Sequence, residues 1–321
     1  MQLSAIYELV REDLLKVEDR LKSVSEVDSP AASELLAYSL SGGGKRIRPV
    51  LTLLSGKFYN YNLDYLIPMA TAVELMHRAT LVHDDAIDKS SVRWGKPTVN
   101  KVWGEEKAIL LGDYLFAEAG VFTATTKNLR SIRLFAETLK IISSGQLDET
   151  SMAFSLEQTR EDYLQRISGK TASLFTMATE TGAVLSQAPE ESIQVLKDYG
   201  YNIGIAFQIV DDVLDFISTE EELGKPVGSD LSQGTLTLPA MLLLEYYPEE
   251  NPVKKIFQGG DKPENIELAI ELVRNSSIVQ ECYAIASEYT SKACHNLDIL
   301  PDNDSRQALV ELADHVIRRK Y

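Results

Sequence analysis

The chain has 321 residues, 44% of them hydrophobic and 25% charged, and its 48 acidic residues against 32 basic ones leave a net charge of −16. That balance carries no basic footprint, which argues against nucleic acid or an anionic membrane surface as a partner. The opening stretch MQLSAIYELVREDLLKVEDRL is charged and amphipathic rather than a signal peptide, no apolar run reaches about 18 residues, and Cys282 and Cys294 lack metal-site spacing and read as ordinary thiols.

Helical periodicity runs through the chain. Residues 5–22 place Ile6, Leu9, Val10, Leu14, Val17 and Leu21 on one stripe. Asp28-Ser29-Pro30 opens a helix over 31–40, which Gly42-Gly43-Gly44 ends. Further helices are predicted over 47–59, 64–88, 105–124, 128–154, 160–186, 190–217, 235–247, 264–274, 277–297 and 303–319. Pro68 falls in the predicted first turn of 64–88, where it is tolerated. Ala70–Leu81 and Gly200–Phe216 are apolar around most of their circumference, as suits the centre of a large helical bundle. No stretch alternates with period two, and no linker divides the chain. The expectation is an all-α fold in a single domain over 1–321, in a cytoplasmic protein.

Two segments share one pattern, DDxxD: Asp84-Asp85-Ala86-Ile87-Asp88 and Asp211-Asp212-Val213-Leu214-Asp215. In each, the first and last Asp stand at i and i+4, on one side of a helix. Carboxylates near a helix C-terminus oppose the macrodipole and call for a cation. An all-oxygen set suits Mg²⁺, which binds through a few carboxylates, waters and substrate phosphates. The pair therefore reads as a two-sided Mg²⁺–diphosphate clamp with Asp84, Asp88, Asp211, Asp212 and Asp215 as candidate ligands.

A basic set accompanies the acids. Gly42-Gly43-Gly44-Lys45-Arg46-Ile47-Arg48 is a glycine-rich turn opening a helix, an arrangement that attracts anions, and Lys45 and Arg48 at i and i+3 can face one phosphate group. His77 stands two turns before Asp84 on the same face, and Gln208 stands three residues before Asp211. His83, beside Asp84, is a candidate support for the metal. Arg93 follows the first acidic motif in position to fork onto a diphosphate. Lys170, next to Thr171, interrupts an apolar helix, and Lys225 follows the second acidic motif in GKPVGSD.

In this order and spacing, GGGKRIRP, ELMHRATLVHDDAID, RWGKPT, LLGDYLFAEA, GKTASLF, FQIVDDVLDF and GKPVGSDLSQGTLTLPAML, from about residue 35 to 240, resemble the trans-isoprenyl (polyprenyl) diphosphate synthases. The chain also looks like the catalytic subunit of two-component hexaprenyl or heptaprenyl synthases. The resemblance implies long, mostly antiparallel helices around a central cavity, and a homodimer or a heterodimer with a small dissimilar subunit, with no stable membrane insertion. Carried over, Asp84, Asp88 and Asp211 hold Mg²⁺, a trio of ions per site, with Asp212 and Asp215 in support. Arg93, Lys170 and Lys225 bind the allylic diphosphate; Lys45, Arg48 and His77 bind isopentenyl diphosphate; Thr171 and Gln208 are further substrate-binding positions, Gln208 lining the cavity.

The implied reaction is head-to-tail condensation of isopentenyl diphosphate with an allylic diphosphate such as farnesyl or geranylgeranyl diphosphate, with products serving as quinone side chains. No Ser-His-Asp or Cys-His arrangement offers a nucleophile. The resemblance also implies that the growing tail runs beneath Asp84, past Ala79, Thr80 and Met76. With no aromatic at the fourth or fifth position before the motif, a medium- or long-chain product is expected, and Ala79→Phe should shorten it. One departure stands out: where the family has a second arginine after the first motif, this chain has Trp94. Weaker isopentenyl diphosphate binding is expected, made up in part by Lys96, and Trp94→Arg should lower KM for that substrate. A short-chain synthase is the alternative product class. A terpene cyclase is disfavoured by the second DDxxD, and a non-catalytic subunit by two intact acidic motifs.

Overall fold

The computed structural model describes residues 3–41, 43–223, 226–260 and 262–319, with the side chains of residues 3 and 4 left aside. Helices make up about three quarters of it. Among the described residues the one sheet is a two-stranded antiparallel hairpin, Val92–Arg93 against Lys96–Pro97. The chain divides into two compact units, interleaved in sequence. One comprises Met1–Leu139, Leu174–Gly200 and Cys294–Leu312; the other comprises Lys140–Ser173, Tyr201–Ala293 and Ala313–Tyr321.

In the first unit the helix Leu63–Ile87 is central, packed by Glu105–Thr125, Ile47–Gly56 and Arg11–Ser23. Leu66, Met69, Val73, Leu75 and Met76 are fully buried on it, each such side chain stabilising by roughly 1.5–3 kcal/mol. Asn62 starts this helix by accepting from the Asp64 amide. The helix begins one residue earlier than predicted, so Pro68 lies in its second turn, where it denies the Asp64 carbonyl a backbone donor. Close approach of neighbouring helices depends on missing side chains: a Cβ at Gly112 would sit 2.1 Å from His83 Nε2, and one at Gly182 would sit 2.3 Å from the Thr52 carbonyl oxygen.

Several predicted helices divide or shorten. The stripe over 5–22 breaks between Leu3–Glu8 and Arg11–Ser23, with Val10 at φ −128°, and both Ile6 and Val10 are buried. The predicted 47–59 ends at Gly56, after which the Asn60 amide bonds the Ser186 carbonyl. The predicted 160–186 is three segments: Arg160–Ile167, a π-helical turn Ser168–Ala172, and Ser173–Leu185. Thr159 and Asp162 close a capping box at its start.

In the second unit, the part of the helix Glu190–Ile217 beyond Gly200 buries Ile203, Ile209, Val210, Val213 and Phe216. Arg274 donates to the carbonyls of Phe216 and Ser218, capping that helix's C-terminal end. Short helices Glu220–Leu223, Ser229–Gln233 and Pro252–Phe257 occupy stretches without a predicted element.

One helix among the described residues, Glu105–Thr125, is long and apolar enough to cross a membrane by length and composition, contrary to expectation. It carries Asp113 and Glu118, packs one face on Leu63–Ile87, and exposes Ile109, Leu110, Tyr114 and Val121 on the rest.

Candidate active site

The candidate cluster of the first unit begins at the glycine loop. Arg46 takes a left-handed conformation, φ 50°, and the helix starts only at Ile47. Lys45 therefore lies outside the helix, exposed, and does not share a helical face with Arg48 as expected. Arg46 points inward, to Glu18 and to buried Glu74, 2.7 Å. Glu74 also takes the Nε of Arg78, 3.1 Å, and Arg78 Nη2 donates to the Gly43 carbonyl, 2.6 Å. Arg48 stands over the Phe175 ring, and its Nη1 is 3.1 Å from His77 Nε2. A guanidinium only donates, so Nε2 accepts and the proton of neutral His77 belongs on Nδ1. Burial, and then the cations Arg48, Arg93 and Arg46, hold the His77 pKa well below its usual value. His77 thus enters the site as a neutral imidazole.

The first acidic motif closes the helix Leu63–Ile87. Asp84 is half-buried and Asp88 exposed, whereas Asp85 is buried. Arg93, placed by the hairpin, forks onto Asp85: Nε lies 3.0 and 2.9 Å from its two oxygens, and Nη2 is 2.8 Å from Oδ1. The guanidinium expected on the substrate is thus committed to the middle Asp, leaving the i, i+4 pair to face outward. His83 turns away, to the Ile109 carbonyl at 3.0 Å with Asp113 at 3.6 Å, and does not support Asp84. Of the residues expected along the product tail, Ala79 and Met76 are fully buried, and only Thr80 is partly open.

The candidate cluster of the second unit is a hydrogen-bonded set around the second motif. Tyr163 and Gln208 each donate to Asp212 at 2.7 Å, and Thr171 donates to Gln208 at 2.6 Å. Burial, and then the charge of Asp230, push Asp212 up to about 8. Asp215 is buried and accepts from Ser229 Oγ and the Asp230 amide. These two acids face packed protein. Asp211 is more than half exposed, and one oxygen takes Arg319 Nη2 at 3.2 Å. Arg319 also donates to the Phe207 carbonyl and lies 3.7 Å over that ring. Lys170, on the π-helical turn, pairs with Glu149 at 2.6 Å. Lys225 lies outside the described residues.

Among the described residues, no three His, Cys, Asp or Glu side chains gather into a closed metal cage. The donors on offer are carboxylates, open at Asp84, Asp88 and Asp211. That fits an ion needing one or two carboxylates together with waters and phosphate oxygens. Sequence reasoning missed Glu149, Tyr163, Arg319 and the Arg78–Trp94 contact. Glu149, Tyr163 and Arg78 sit inside ordinary helical patterns, Arg319 follows the last helix, and Trp94 lies in the hairpin turn.

Residues 29–273 match the family described as polyprenyl synthetase. Heptaprenyl diphosphate synthase component 2 of Geobacillus stearothermophilus is 37% identical over 323 residues, covering 100% of each chain. Solanesyl-diphosphate synthase 2, chloroplastic, of Oryza sativa subsp. japonica is 33% identical, covering 99% of this chain and 80% of that one. Among solved structures, the polyprenyl synthase of Caulobacter crescentus CB15 complexed with calcium and isoprenyl diphosphate superimposes with a TM-score of 0.95, at 32% identity, covering 100% of this chain and 98% of that one.

Proposed function

The chain belongs to the polyprenyl synthetase family, and from that premise we propose that it condenses isopentenyl diphosphate with an allylic diphosphate to give a medium- to long-chain all-trans polyprenyl diphosphate. The carrying observation is the duplicated DDxxD, each copy on a long helix with its first Asp reaching solvent and its second Asp buried on a neighbouring donor. Heptaprenyl and solanesyl synthases among the relatives support the product class.

Asp84, Asp88 and Asp211 would hold Mg²⁺, with Asp212 and Asp215 in support. When bound, Mg²⁺ neutralises charge on the departing diphosphate. Lys170 and Lys225 bind the allylic diphosphate and steady the same charge as it grows, while Arg93 stays forked on Asp85 and adds its charge to the first motif. Lys45, Arg48 and neutral His77 hold isopentenyl diphosphate. Once the allylic C–O bond breaks, the double bond of isopentenyl diphosphate attacks the cation, and a proton leaves to restore the alkene. In this proposal residues 1–321 act as one catalytic domain, placed in the cytoplasm.

A dissimilar subunit is part of the proposal. The relative named component 2 supports it, as do Ile109, Leu110, Tyr114 and Val121, exposed along Glu105–Thr125. The deciding experiment is Mg²⁺-dependent incorporation of labelled isopentenyl diphosphate onto farnesyl or geranylgeranyl diphosphate, first by the chain alone and then with a partner. Chromatography of the products should show chains longer than the primer. No incorporation in either arrangement refutes the proposal.

A further inference from the structure

We propose that Trp94 is a positioning residue for the isopentenyl diphosphate end of the site, acting through Arg78 on the glycine loop. The inference rests on the synthase reading above. Trp94 and Gly95 form the two-residue turn of the hairpin, at φ 51° and 72°, with Arg93 paired to Lys96. That first seat favours Asn, Asp or Gly, and a bulky side chain sits there at positive φ only where other contacts hold it. The contact here is with Arg78, whose guanidinium lies 4.7 Å from the centre of the indole ring.

Arg78 then reaches the loop. Its Nη2 donates to the Gly43 carbonyl at 2.6 Å. A Cβ at Gly44, where φ is +142°, would meet Arg78 Nη2 at 3.2 Å and the Trp94 ring at 4.0 Å. Indole, guanidinium and loop backbone are therefore stacked in contact. Glu74 joins the two sides of the loop, since it takes Arg78 Nε at 3.1 Å and Arg46 Nη1 at 2.7 Å. Lys45 lies between those two anchor points, and its carbonyl accepts the Tyr7 hydroxyl. With Arg78 buried behind the loop, its work is to fix the backbone that carries Lys45 and leads into Arg48.

This reverses the expectation for Trp94→Arg. An arginine at 94 would set a second guanidinium against Arg78, replacing an attraction with a repulsion and loosening the loop. We expect Trp94→Arg and Trp94→Ala to raise KM for isopentenyl diphosphate about five- to tenfold, the loss of one partly exposed cation–π contact. KM for the allylic substrate and kcat should stay near their wild-type values, and Trp94→Phe should restore the isopentenyl diphosphate KM. A lower KM in Trp94→Arg, or an unchanged one in Trp94→Ala, overturns the inference. A second readout needs no catalysis: amide hydrogen exchange over residues 43–46 in the substrate-free protein should speed up in Trp94→Ala and Trp94→Arg but not in Trp94→Phe. Unchanged exchange in those variants sinks the clamp, whatever the enzyme makes. Faster exchange, in a protein that never incorporates isopentenyl diphosphate, sinks the synthase reading alone.

Discussion

Replacing Asp85 with Asn keeps the shape of the side chain but removes the charge that holds Arg93. The pair is unequal in exposure: the Asp85 side chain is 8% exposed and that of Arg93 32%. Stripping one partner from a fully buried pair costs about 3–5 kcal/mol, whereas an exposed pair contributes about 0.2–1 kcal/mol. With the acid buried and the guanidinium one-third open, about 2 kcal/mol is the reasoned loss, a fall in Tm of about 3–5 °C for a chain this long. Thermal unfolding followed by circular dichroism measures it. Arg93→Met and the Asp85→Asn/Arg93→Met double variant complete a cycle, in which the double variant should lose about 1 kcal/mol less than the sum of the singles. A melting temperature within about 1 °C of wild type for Asp85→Asn, or additive singles, would refute the claim that Asp85 serves Arg93 rather than a metal.

Three further outcomes are expected. Arg319→Gln removes the cation on Asp211 Oδ1, so Mn²⁺ should bind the substrate-free protein about two- to fivefold more tightly, read from the electron paramagnetic resonance of free Mn²⁺; weaker binding would mean that Arg319 holds Asp211 in shape. Because His77 has a lowered pKa in the folded protein, the unfolded chain takes up its proton first as pH falls below about 6.5. Stability present above that pH is therefore lost as pH drops toward the folded value, and His77→Gln should flatten the fall in urea midpoint between neutral and mildly acidic pH. Gly182→Ala places a methyl against the Thr52 carbonyl, and since backbone cannot step aside, about 1–3 kcal/mol should be lost; an unaltered urea midpoint would show that the two helices can part freely.

The helices and the acidic motifs were legible because both obey a period. Apolar residues every three or four positions mark buried faces, and carboxylates four apart share one. What stayed hidden was direction. At 3.6 residues per turn, Ala79 lies about 140° around the helix from Asp84 and Thr80 about 40°; that is why Ala79 is sealed in packing and Thr80 is open. Arg93 reads as a substrate ligand until the hairpin is seen to turn it back onto Asp85. Lys45 and Arg48 are three apart in sequence, but the left-handed Arg46 between them ends any shared face. The ties of Tyr163 to Asp212 and of Arg319 to Asp211 join residues 49 and 108 positions apart, a distance over which local pattern carries no information.

The π-helical turn at Ser168–Ala172 has a consequence of its own. Lys170 and Thr171 are consecutive, yet each finds a partner, Glu149 for one and Gln208 for the other. In a regular α-helix neighbouring side chains diverge by about 100°. The turn takes up one surplus residue within a helix. Deleting Gly169 would remove that residue and let the stretch close as regular α-helix, at the cost of the separate seats that Lys170 and Thr171 now hold. A lesion here is a change of length rather than of chemistry.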